Sequence, residues 1–128
     1  MARFRSDHIH LRSPDPEAAA RFYAEVLEAS EVTRVKNGEA LRIVMDLGGL
    51  PLFIEQVPAS TVAAPPAPFV GIEHIGLAVT GFDGIVAELK GKGVRFLAEP
   101  SSPRPGIKIA FIEGPDGVRI ELLERSAA

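Results

Sequence analysis

The sequence predicts an α+β fold made of two βαβββ modules, and three observations lead there. Strand-like and helix-like segments follow one another in the order strand, helix, three strands, and then do so again. The stretch "PASTVAAPPAPFVG", residues 58–71, is rich in Pro and Ala, carries neither period, and reads as a linker. Shifting the chain on itself by 66 residues lays His8 on His74 and Glu55 on Glu121, together with Ile9 on Ile75, Leu11 on Leu77, Ile43 on Ile109, Gly48 on Gly114 and Ile54 on Ile120. The expected organisation is one domain, residues 1–128, with modules 6–57 and 72–125 joined by the linker 58–71.

In the first module "HIHLRS" reads as a strand and "PDPEAAARFYAEVLEAS" as a helix, with Asp15 as N-cap, Pro16 in the first turn and Ala19, Phe22 and Val26 on one face. "EVTRVK", "ALRIVMDL" and "LPLFIEQV" follow as strands, separated by turns at Asn37-Gly38 and Gly48-Gly49. In the second module "IEHIGLAVT" is a strand and "FDGIVAELKGKG" a helix with Phe82, Ile85, Val86 and Leu89 on one face. "VRFLAEP", "IKIAFIEG" and "GVRIELLER" complete it. The helices fall out of register under the shift while the strands return to it, as expected when loops change length and a sheet does not.

Composition narrows the chemistry. A chain of 128 residues can bury a core without help from metal or disulfide. A net charge of −3 with no basic stripe leaves nucleic acid without an electrostatic footprint. With no cysteine there is no disulfide, thiolate nucleophile or Cys-type zinc site, so a bound metal must be held by nitrogen and oxygen. No apolar run is long enough for a signal peptide core or a membrane span, which points to a cytoplasmic protein with no membrane partner.

Side chains alternate along a strand, so His8, His10 and Arg12 share one face while Ile9 and Leu11 take the other. Glu55 lies opposite Leu52 and Ile54, His74 opposite Ile75 and Leu77, and Glu121 opposite Ile120 and Leu122. In each case the ionisable residue is on the face that the helix leaves open. Two such faces turned toward each other aim two imidazoles and two carboxylates at one point, which suits a divalent ion such as Ni, Zn, Co, Mn or Fe. His10 is matched by Gly76 under the shift and reads as a pocket-wall residue; Arg12, on the same face, suggests anion binding.

The stretches "DHIHLRSPDPEAAARFYAEVL", "LFIEQ", "IEHIGLAV", "ELKGKGVRFL" and "IAFIEGPDGVRIELLE" resemble the vicinal oxygen chelate superfamily, which includes glyoxalases, bleomycin-resistance proteins and extradiol dioxygenases. The resemblance implies a glyoxalase-like fold in which paired βαβββ modules form a curved mixed sheet around a metal. It implies His8, Glu55, His74 and Glu121 as ligands, and a homodimer in which each metal takes one ligand pair from each protomer. The order His, Glu, His, Glu is similar to that of bacterial-type lactoylglutathione lyase. There the metal stabilises an enediolate formed from a hemithioacetal, with Glu121 as the favoured base here and Glu55 as its symmetric alternative. Arg12 matches a substrate-contacting arginine of glyoxalases, and Arg104 lies near a basic residue of the mobile loop before the seventh strand. The chain departs from the glyoxalase pattern at Ala59, where an Asn is usual, and at Glu28, where Gly is common. Methylmalonyl-CoA epimerase, extradiol dioxygenase and metal-free ligand-binding or resistance proteins are the alternatives on the same scaffold.

Overall fold

The computed structural model describes residues 2–126. The chain divides between Ala63 and Ala64 into two compact units. The first runs β1 (Ile9–Ser13), α1 (Pro16–Leu27), β2 (Ser30–Asn37), β3 (Ala40–Leu47) and β4 (Leu50–Gln56). The second runs β5 (Ile75–Ala78), α2 (Phe82–Gly91), β6 (Phe96–Arg104), β7 (Ile107–Glu113), a short 3₁₀ turn Pro115–Gly117, and β8 (Arg119–Arg125). Each unit holds a four-stranded mixed sheet, ordered β1-β4-β3-β2 and β5-β8-β7-β6. In both, the first and last strands pair in parallel and the remaining pairs are antiparallel.

The helices start and stop for local reasons. The Asp15 side chain accepts from Ala18 N at 3.1 Å, and Pro16 supplies a preset φ where no intrahelical donor is needed. At the other end Glu28 adopts a left-handed conformation, φ 61°, and the Ala29 N–H bonds back to Tyr23 O. Gly81, which precedes α2, has no side chain to cap it. Glu124 of β8 caps the helix instead, accepting from the N–H groups of Gly81 (2.9 Å) and Phe82 (3.1 Å). Those two backbone bonds hold the Glu124 carboxyl below the usual carboxylate range.

Alternation puts one row of apolar side chains under each helix. In the first unit Ile43, Met45, Leu47, Leu52 and Ile54 are buried with Ala19, Ala20 and Tyr23 of α1. The expected stripe Ala19, Phe22, Val26 is rotated: the two alanines let the helix approach the sheet closely and Tyr23 fills the space beside them. Phe22 is left half-buried, edge-on to Tyr23 at 5.8 Å. In the second unit Ile75, Ala110, Ile112, Ile120 and Leu122 are buried, as are Phe82, Val86 and Leu89 of α2. Each fully buried Leu or Ile contributes about 1.5–3 kcal/mol, so this alternation fixes which face of each sheet remains open.

A glutamate in the left-handed region carries a steric cost that glycine avoids. Glu28→Gly should therefore raise stability by about 0.5–1 kcal/mol in urea unfolding. A lower midpoint would show that the Glu28 side chain contributes more than its backbone strain costs.

Candidate metal centre

The open face of the second unit carries a compact His and Glu pair. His74 sits immediately before β5, and Glu121 lies on β8 opposite Gly76. His74 Nε2 and Glu121 Oε1 are 3.4 Å apart, with side chains 31% and 18% exposed. A Cβ on Gly76 would lie 3.6 Å from Glu121 Oε1, so the glycine leaves the carboxylate's flank open. Phe111, across the hairpin from Glu121, meets the His74 ring edge-to-face at 5.1 Å. Two ligand atoms bound at about 2.1 Å to one divalent cation lie roughly 3.0–3.4 Å apart, so this nitrogen and oxygen fit adjacent positions on a metal.

The first unit is built differently. His10, rather than His8, is the imidazole beside Glu55, with His10 Nε2 3.5 Å from Glu55 Oε1. The same oxygen accepts from Arg42 Nε at 2.7 Å and lies 2.6 Å from Arg42 Nη2. A carboxylate already neutralised by a guanidinium is a poor donor to a cation, because metal and arginine would compete for one oxygen. His8 instead stacks on Phe53, with centroids 3.9 Å apart and planes 7° from parallel, and the Arg42 guanidinium lies 5.3 Å from the Phe53 centroid.

Strand register explains the difference. Gly76 pairs with Glu121, whereas His10, its counterpart under the shift, pairs with Phe53; Glu55 is one pleat further on, opposite Arg12 and Arg42. The adjoining hairpins agree. Val44 pairs with Phe53 as Phe111 pairs with Glu121, with the buried pairs Ile43–Ile54 and Ala110–Leu122 beside them. By strand register Phe53, two residues before Glu55, occupies the position that Glu121 has in the second unit. Part of the cause is turn length. β3 and β4 close on Gly48–Gly49, both at positive φ, whereas β7 and β8 close through the longer Gly114–Val118 segment.

The remaining expected residues are placed as follows. Arg12 is exposed on β1 across from Glu55. Arg104 is exposed at the end of β6, its carbonyl accepting from Ser102 Oγ at 3.0 Å. The segment expected as a mobile loop before the seventh strand is strand up to Arg104 and a tight turn at Pro105–Gly106. Among the described residues no group of three or more His, Cys, Asp or Glu side chains is gathered for a metal. Three contributors were not expected from the sequence: Phe53, Arg42, and the acidic residues that precede the two histidines. Asp7 Oδ2 lies 2.6 Å from His8 Nδ1, and Glu73 contacts His74 Nδ1 while also pairing with Arg119. The third was legible, since Asp7-His8 and Glu73-His74 repeat under the same shift.

Residues 5–122 match the model of the glyoxalase/bleomycin resistance protein/dioxygenase superfamily, and the chain belongs to that family. A probable chloroplastic lactoylglutathione lyase of Arabidopsis thaliana is 45% identical over 56 residues, which is 43% of this chain and only 16% of that protein. Among solved structures, a glyoxylase/bleomycin resistance protein/dioxygenase domain from Frankia sp. EAN1pec aligns with a TM-score of 0.81 at 19% identity, covering 99% of this chain and 96% of its own. The trypanothione-dependent glyoxalase I of Leishmania major aligns with a TM-score of 0.77 at 23% identity, covering 94% of this chain and 86% of its own. The two structural matches establish a common fold. No described helix is long and apolar enough to cross a membrane.

Proposed function

We propose that this chain is a divalent-metal-dependent enzyme that moves a proton on a small α-oxo substrate, in the manner of glyoxalase I. The observation that carries the reading is the His74–Glu121 pair, whose nitrogen and oxygen are spaced for one cation. No arginine pairs with Glu121 among the described residues, in contrast to Glu55. The third ligand is His8, the counterpart of His74, which the homodimer implied by the family resemblance would bring from a second copy of the chain. The set of two imidazoles and one carboxylate admits Ni, Zn, Co, Mn or Fe.

A bound cation supplies Lewis acidity, making the C–H beside a chelated carbonyl easier to deprotonate. Glu121 does the proton work: its carboxylate has an open flank at Gly76, takes the proton from one carbon and returns it to the next. His10, Arg12 and Glu55 line the open face of the first unit and meet the substrate's polar end, with Arg42 holding the Glu55 carboxylate in place. Arg104 is a further anion contact. The setting is the cytoplasm.

Phe53 favours a second reading. With an aromatic ring in the first unit's ligand position, the donor set is also the two-His, one-carboxylate arrangement of iron-dependent extradiol dioxygenases. Metal-loaded protein should convert methylglyoxal in the presence of a thiol; oxygen uptake with a catechol, and no such turnover, would select the dioxygenase instead.

Protein purified without chelator should contain about one divalent ion per chain by elemental analysis, and its absence would defeat both readings. Glu55→Gln should leave metal affinity within about twofold, whereas Phe53→Glu, which adds a carboxylate beside His8, should raise it at least tenfold. Loss of the ion in Glu55→Gln would restore Glu55 as a ligand. Glu121→Gln should lower turnover by on the order of a hundredfold or more. Near-normal turnover would remove Glu121 from proton transfer. Sedimentation equilibrium should give twice the chain mass; a monomer that still holds the ion would end the shared-site arrangement.

A further inference from the structure

We propose that Asp7 and Glu73 are positioning residues that hold the imidazoles of His8 and His74 with the proton on Nδ1 and the Nε2 lone pair free to bind the cation. The inference rests on the metal reading above and adds to it the residues that prepare the ligands.

Neighbouring side chains in a strand point to opposite faces, so residues i and i+1 do not touch there. Both histidines stand one residue before their strands begin, at Ile9 and Ile75, where the chain is free of that alternation. In each unit the preceding acid uses this freedom to reach the imidazole: Asp7 Oδ2 is 2.6 Å from His8 Nδ1, and a Glu73 carboxylate oxygen contacts His74 Nδ1. A carboxylate only accepts, so in the neutral ring Nδ1 carries the hydrogen and Nε2 is a bare acceptor. In the second unit that Nε2 faces Glu121 Oε1, a second acceptor, at 3.4 Å. A cation placed between that nitrogen and that oxygen would bind a lone pair of each.

The two acids are not held equally. Arg119 Nε lies 2.7 Å from Glu73 Oε1, and its guanidinium packs 5.5 Å from the centroid of Phe111, the ring that also borders His74. Glu73 is thus placed between imidazole and guanidinium, in contact with both. Asp7 is 86% exposed and makes no ion pair beyond His8 among the described residues. Losing Glu73 should therefore cost more than losing Asp7.

The experiment pairs tautomer assignment with metal affinity. Nitrogen-15 long-range correlation spectra of the metal-free protein should show Nδ1–H at His74, shifting toward Nε2–H in Glu73→Ala and restored in Glu73→Gln, whose amide oxygen still accepts. Chelator competition should show affinity about 10–100-fold lower in Glu73→Ala, with a smaller loss in Asp7→Ala. An Nε2–H tautomer in the parent protein, or Nδ1–H persisting in Glu73→Ala, overturns the proposal, as does unchanged affinity in Glu73→Ala. If the parent protein takes up no metal, the metal reading fails, while the tautomer spectra still decide whether Glu73 sets the ring.

Discussion

Parallel pairing of the first and last strands of each unit is the constraint on which the candidate site depends. An α-helix intervenes between the first strand and the antiparallel meander, so the chain returns to lie beside its own start. That return sets a histidine from the beginning of a module next to a side chain from its end, a separation in sequence that no local motif would bridge. The buried rows, Ile43, Leu52 and Ile54 in one unit and Ile112, Ile120 and Leu122 in the other, lock the alternation and leave the polar row on the open face.

The two units use related parts for different electrostatic ends. In the second, the arginine beside the site pairs with Glu73, behind the imidazole, and leaves Glu121 facing His74 with no arginine partner among the described residues. In the first, the arginine crosses the sheet to Glu55 and cancels its charge in front. Each arginine also lies over an aromatic ring, Phe53 or Phe111, which shields the ion pair from water on one side. Where the guanidinium lands therefore separates a carboxylate that faces an imidazole from one that is held by an arginine.

Much of this was legible in the residues. Period-2 and period-3.6 patterns located the eight strands and two helices of the described residues, most plainly where Ile, Leu and Val recur at buried positions, as in β3, β4, β7 and β8; β2, exposed along its whole length, was marked by its β-branched residues and the Asn37-Gly38 turn. The histidine repeat identified the strand starts. What the sequence hid was register. A match of Glu55 with Glu121 at the same shift as His8 with His74 is persuasive in one dimension, but pairing partners depend on turn lengths that a single shift cannot follow. Arg42 was hidden for a related reason: it reads as one polar residue in "ALRIVMDL", and only the β3–β4 ladder shows that it faces Glu55. Likewise the α2 cap comes from Glu124, 42 positions from the Phe82 N–H it satisfies.

The Gly48–Gly49 turn has an implication for how such a site changes over generations. A slip of one residue between β1 and β4 would turn every apolar side chain of β4 to the wrong face and unfold the unit; a slip of two leaves the core row intact and merely exchanges which open-face residue meets the imidazole. A change of two residues in register therefore exchanges one open-face side chain for another without a substitution in the strand. Phe53 standing where its counterpart unit has Glu121 is the trace such a step would leave.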